Sequence, residues 1–479
     1  MRIVLDLQGA QNESRFRGIG RYTLALSKAI ARNKGSHEVI IALNGAFPDS
    51  IDLIRKQFKN LVPKDNIKVW ISPTPVFEGQ SGNEGRRNVS EILREYFLEA
   101  LRPDVVWISS LFEGYVDDAV SSVKRTNSSY KVAVTLYDLI PLVNPDSYLK
   151  PNPSYADHYM RKIEYFQRAD LWLSISNSSR EEGLEYLNLP EDKVINISSA
   201  CDEEFLNKDF SHINAKEYLL DKGINKDFIF YSGAADPRKN LKNLVIAFAQ
   251  LPVSVRGKYQ LVFSGKMHPE GVEEIISIGY ENGLNKEDLN VLGYVSDEEM
   301  LLLYHTCSVF VFPSLHEGFG LPALEAMACG AVVITSNTSS LPEVVGISEA
   351  MFDPYDVNSI SNKLYKVLTD PELYQILSKN SSLRSSMFSW DSVAIKAIEA
   401  FDEFVPKKTE HREEACSVDE IIRNITKNTK SFDFSDDDLL FIAHALSKNV
   451  SIQGRKAKLY IDISELVLRD LRTGVQRVT

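Results

Sequence analysis

Short, almost uninterrupted apolar runs alternate with longer amphipathic segments along most of this chain. RIVLDL (2–7), HEVIIAL (37–43), DVVWIS (104–109), YKVAVTL (130–136) and LWLSIS (171–176) read as strands. Between them lie helical patterns such as residues 20–33 and 88–102. After a loop around residues 190–202 the rhythm restarts with FIFYSG (228–233), YQLVFSG (259–265), SVFVFPS (308–314) and AVVITS (331–336), again separated by helical patterns such as 241–251. Strands apolar on both faces, alternating with helices, predict parallel sheets covered on both sides. Two such series of comparable length predict two doubly wound α/β domains facing each other across a cleft, residues 1–200 and 201–390. In that architecture ligands bind at the carboxyl ends of the strands. A further helix is predicted over 392–405, then a charged stretch (406–415) and a small helical region within 406–457. Its clearest element is SDDDLLFIAHALSKN (435–449). The three aspartates there suggest either a DxD metal site or a capping box of Ser435 and Asp438; the second reading is preferred, because acidic side chains favour a helix N-terminus.

Composition changes this picture little. The chain has 479 residues, 44% hydrophobic and 25% charged, as expected of a globular protein of several domains. The net charge of −12 is uneven: residues 1–200 carry 25 basic and 25 acidic groups, residues 201–400 carry 16 and 27. An acidic chain with no basic stripe is poorly suited to nucleic acid. Cysteines at 201, 307, 329 and 416 show neither a disulfide framework nor zinc-ligand spacing. With no 18-residue apolar stretch and no signal-like N-terminus, the expected compartment is the cytoplasm.

The candidate chemistry concentrates in two strand-to-helix turns. In PSLHEGFGLPALEAMACG (313–330), Gly318 and Gly320 precede a helix with Pro322 in its first turn, which exposes backbone N–H groups suited to an anion. Glu317 lies in the turn and Glu325 about one helical turn inside, so both carboxylates are expected at one cleft unless Glu325 is simply a solvated helical residue. In YSGAADPRKNLKN (231–243), Arg238 and Lys239 stand just before another helix. Cations there oppose the helix dipole, and a diphosphate would justify them.

Together the Glu317…Glu325 spacing, the Arg238-Lys239-Asn240 block, LGYVSDEEM (292–300) and FSWDSVAIKAIEAF (388–401) resemble the retaining glycosyltransferases of family 4, over roughly residues 1–405. The resemblance implies the GT-B fold, a helix at 391–405 crossing back to the first domain, and a nucleotide-sugar donor held mainly by the second domain without a metal. It implies that Arg238 and Lys239 bind the donor diphosphate, Glu325 the ribose, and Glu317 the transferred sugar. The amides of Phe319, Gly320 and Leu321 would hold phosphate or sugar oxygens, Tyr294 and Val295 would cradle the base, and Gly18 would let the donor phosphates approach. The loop 9–20 is not a GxGxxG dinucleotide fingerprint. Gly20, Arg21 and Tyr137 are expected on the acceptor side. Tyr137 stands where the commoner family pattern has a histidine, so an acid–base role at that position does not carry over. Asp138 is expected either to contact the donor sugar or an acceptor hydroxyl, or to cap the core.

The opening DLQGAQNESRFRGIGRYT and DLIPL (138–142) resemble, more narrowly, bacterial mannosyltransferases that build polymannose O-polysaccharide, some with two transferase modules in one chain. That resemblance implies GDP-mannose as donor, a growing and lipid-linked (undecaprenyl) mannan as acceptor, α-1,2 linkage, and peripheral attachment at the inner face of the cytoplasmic membrane through a partner or second module. A UDP-sugar donor and a catalytically silent sugar-nucleotide-binding scaffold remain the alternatives. The last residues repeat the first: Asp462, Gly474, Arg477 and Thr479 match Asp6, Gly18, Arg21 and Thr23 in spacing. Residues 458–479 are therefore expected to be the truncated start of a second module.

Overall fold

A computed structural model describes residues 1–202, 205, 215–405 and 417–449. The expected second-module start at 458–479, and the ends of the 406–457 segment, lie outside these described residues.

Two parallel sheets organise the chain. The first holds β1 (Arg2–Asp6), β2 (Glu38–Asn44), β3 (Ile67–Trp70), β4 (Val105–Ile108), β5 (Lys131–Leu136), β6 (Leu171–Ser174) and β7 (Val194–Asn196), in the order β3-β2-β1-β4-β5-β6-β7. The second holds β8 (Asp227–Ser232), β9 (Tyr259–Ser264), β10 (Leu289–Val291), β11 (Val309–Phe312), β12 (Val333–Ser336) and β13 (Met351–Phe352), in the order β10-β9-β8-β11-β12-β13. The pairing is parallel throughout, with β1 in register between β2 and β4, and β8 between β9 and β11. Strand order therefore reverses beside β1 in one domain and beside β8 in the other. At such a switch point the loops leaving two adjacent strands diverge and open a crevice. In the second domain those loops are 233–240 and 313–320, the two turns that carry the candidate chemistry.

Four strands carry no run in the apolar pattern: β3, β7, β10 and β13. They are two to four residues long, and they are the four sheet edges. An edge strand is covered less completely, so the uninterrupted apolar run that marks a central parallel strand is missing.

The helix Trp390–Phe404 packs on the helix Gly18–Asn33 of the first domain. Arg32 and Asn33 bond to Asp391, and Trp390 lies edge-on to Tyr22 at 5.2 Å and donates its indole N–H to Asp202 at 3.2 Å. The helices Val418–Asn428 and Asp436–Asn449 rest on Glu84–Ala100, burying Ile421, Ile425 and Ala445 against Val89, Ile92 and Leu93. Asn449 bonds both ways to the backbone of Ile71, covering the β3 edge as a neighbouring strand would. Ser435 and Asp438 form the expected capping box, and Asp438 also pairs with Arg86 at 2.9 Å.

Under the first sheet, Asp6 at the end of β1 is fully buried and takes the Nε of equally buried Arg94 at 2.9 Å. Such a pair is tolerated because each charge is hydrogen-bonded by the other.

Candidate functional site

The two turns at the second switch point are zipped together by backbone and amide bonds. Leu315 N–H donates to Arg238 O at 2.7 Å, and the Asn240 side-chain amide donates to Pro313 O and Pro354 O. This brings Arg238 and Lys239, which close a 3-10 turn after β8, onto Glu317. Lys239 Nζ lies 2.5 Å from Glu317 Oε1, and Arg238 Nη1 lies 2.9 Å from Oε2 and 2.8 Å from His316 O. Burial pushes the Glu317 carboxyl upward, but the adjacent cations Lys239 and Arg238 outweigh it and hold it at about 2. Glu317 is therefore ionised at neutral pH. Burial lowers Lys239 despite that carboxylate, whereas Arg238 is held well above its ordinary value by Glu317 and Asp236. Arg238 and Lys239 thus share Glu317, with Asp236 a further 3.7 Å from Arg238 Nε, and their N–H groups line a buried crevice where an anionic ligand could compete for them.

Gly320 stands at φ +104°, in the left-handed region, and a Cβ there would come within 2.6 Å of the Leu341 side chain. Only glycine makes that turn into the helix Leu321–Ala328. Ser340 Oγ lies 2.9 Å from Glu317 O and 2.8 Å from Phe319 O, its one proton shared between them behind the loop, while the Phe319 ring packs edge-on against Phe388.

The first domain closes over this crevice. A Cβ on Gly318 would lie 2.5 Å from Tyr137 O and 3.1 Å from Asp138 Oδ2, so the two backbones touch there because residue 318 has no side chain. Asp138 is half-buried at the end of β5, accepts the Ile140 N–H at 3.1 Å, and has its carboxyl pushed up by burial, with Glu182 adding and Arg238 and His316 opposing. Gly18 begins the helix Gly18–Asn33 opposite Leu321, whose Cδ1 lies 3.7 Å from where a Cβ on Gly18 would stand.

Arg21 crosses to the second domain. Its Nη1 lies 3.3 Å from Glu325 Oε1, its Nε and Nη2 hold Asp202, and its guanidinium covers the Phe205 ring. Glu325 is buried and also accepts from Tyr304 Oη at 3.4 Å. Burial pushes its carboxyl up to about 7 although Arg21 pulls the other way.

The structure thus gathers Arg238, Lys239, Glu317, Asp138, Arg21, Glu325, Gly18 and Leu321 at one cleft. Tyr137 and Gly20 pack within the first domain: the Tyr137 hydroxyl lies 3.4 Å from Thr23 Oγ1, and Gly20 presses on the backbone of Ser14 and Arg15. Tyr294 and Val295 follow β10; Tyr294 is 81% exposed and Val295 is buried. Sequence reading missed five residues at this cleft. Glu182 pairs with His316 at 2.6 Å and accepts the Leu139 N–H at 2.8 Å. Glu343 accepts the amides of Asn177 and Ser178, both at 2.8 Å, and Ser176 donates to Gly318 O, with Ser179 Oγ 3.1 Å from the same oxygen. His316, directly before Glu317, was legible as a candidate; the others are revealed only by contact between domains. No described helix is long and apolar enough to cross a membrane.

Residues 218–384 match the family model for glycosyl transferases group 1. The chain is 37% identical to a serotype-specific mannosyltransferase, WbdA, of Escherichia coli, over 100% of its own length and 57% of that protein. The chain thus spans little more than half of that relative. It is 28% identical to the O-antigen chain mannosyltransferase B of Escherichia coli, over 80% of this chain and 95% of that one. Among solved structures, Anabaena HepE in complex with UDP and glucose superposes with a TM-score of 0.59 at 15% identity, covering 84% of this chain and 100% of that one, a likeness of fold. Residues 218–384 thus carry a group 1 glycosyl transferase region, in a chain that has the GT-B arrangement of two facing parallel-sheet domains and is related to the O-antigen mannosyltransferases.

Proposed function

We propose that this chain transfers mannose, with retention, from GDP-mannose to a growing polymannose O-antigen chain, forming α-1,2 linkages on an undecaprenyl-linked acceptor at the inner face of the cytoplasmic membrane. The observation that carries the reading is the buried Arg238–Lys239–Glu317 cluster at the switch point, in a chain related to O-antigen mannosyltransferases. In this reading the diphosphate lies against Arg238, Lys239 and the N-terminus of the helix Leu321–Ala328. These groups neutralise charge as the diphosphate leaves, so its departure needs no metal. Glu317 stays ionised throughout, so it stabilises positive charge at the reacting sugar carbon and donates no proton. Glu325 receives the ribose hydroxyls, and Asp138 faces the transferred sugar or the attacking hydroxyl.

Titration calorimetry with GDP and UDP, followed by NMR of the product linkage, tests this. GDP should bind and an α-linked mannose should form from GDP-mannose on a mannan oligosaccharide. UDP binding with no GDP binding would remove the mannose assignment.

A further inference from the structure

We propose that Glu182 is a positioning residue for this transfer, one carboxylate that sets the register between Asp138 and Glu317 on opposite domains. The inference rests on the transferase reading for its kinetic consequence, and on geometry alone for the coupling.

Glu182 lies on the helix Asn177–Leu187 and is buried at the domain boundary. Its Oε2 accepts the N–H of Leu139, the residue after Asp138, at 2.8 Å. Its Oε1 lies 2.6 Å from Nε2 of His316, the residue before Glu317. The same helix start grips the other flank of each carboxylate: Ser179 Oγ donates to Tyr137 O at 2.6 Å, and Ser176 Oγ to Gly318 O at 2.7 Å. Residues 137 and 139 around Asp138, and 316 and 318 around Glu317, are therefore held by one short stretch of helix. Neither carboxylate can shift along the cleft without breaking a bond to it.

Apolar packing would stabilise such a boundary as well as a buried ionic contact does. What Glu182 adds is a fixed spacing between two groups that must act on one substrate. A misplacement of about 1 Å costs on the order of 10²-fold in rate. Glu182 reaches neither substrate nor diphosphate in the reading above, so its loss belongs in turnover and not in donor affinity.

The test combines kinetics with hydrogen exchange on the full chain. Glu182→Ala and His316→Ala should each lower kcat about 10- to 100-fold, with KM for GDP-mannose and Kd for GDP within about twofold of wild type. The double variant should be no worse than the poorer single one, because both break one connection. Independently of turnover, His316→Ala in the second domain should speed exchange of the Leu139 amide in the first. Unchanged kcat in either folded variant, or unaltered Leu139 exchange in His316→Ala, would overturn the proposal. If Glu182→Ala does not fold, His316→Ala carries both measurements. If wild-type protein binds GDP but transfers no mannose, the transferase reading fails, and Leu139 exchange still decides whether the domains are coupled through Glu182.

Discussion

The raised carboxyl of Glu325 makes GDP binding depend on pH in a way that can be worked out. If Glu325 accepts the ribose hydroxyls, only its ionised form is competent, and its free-protein value is about 7. One unit below that value about a tenth of the protein is ionised, and one unit above about nine-tenths. Apparent affinity scales with the competent fraction, so GDP should bind about tenfold more weakly near pH ~6 than near pH ~8, a difference of ~1.4 kcal/mol. The sign follows from linkage: a ligand that needs the carboxylate expels its proton, so affinity rises with pH through the Glu325 value and levels off above it. At a pH equal to that value about half a proton should be released per GDP bound. Calorimetry in two buffers of different ionisation enthalpy measures that release directly. GDP has its own phosphate titration, so the decisive quantity is the difference between wild type and Glu325→Gln, which carries no such proton. Equal pH dependence in the two proteins would refute the assignment of Glu325 to the ribose.

Arg238→Ala should cost about 10²–10³ in kcat, because it removes one preorganised cation from the leaving diphosphate; steady-state kinetics with GDP-mannose would show it, and near-wild-type turnover would contradict the role. Glu317→Gln should abolish most turnover while leaving GDP affinity nearly unchanged, and wild-type turnover should show no limb from this group between about pH 4 and 8, since its two cations keep it ionised throughout that window. Arg94→Met should lower stability by about 3–5 kcal/mol in denaturant unfolding, because it leaves the buried Asp6 carboxylate without its opposing charge; a loss below about 1 kcal/mol would mean that the Gln8 amide, 3.1 Å from Asp6 Oδ2, suffices for it.

The apolar rhythm of the chain was enough for the two parallel sheets, because a strand covered on both faces must be apolar at nearly every position, as in the VFVF of β11 and the VVWI of β4. The capping box at Ser435 was legible because a cap is local: donor and acceptor lie three residues apart. The turn around Gly320 was legible because its backbone demands glycine, whatever else surrounds it. Edge strands such as the two-residue β13 were not legible, since their identity lies in the neighbour they pair with. The sequence also marked Arg238, Lys239 and Glu317 as separate candidates, but not that both cations would fall on one carboxylate. That depends on the strand order of the second sheet, which sets β8 beside β11 and so brings together turns 78 residues apart. The partners of Arg21 and Glu182 depend on still more, the closing of one domain on the other. A charge leaves the same mark in a sequence whether it faces water or a carboxylate across a cleft; only the tertiary structure supplies the distance that decides its role.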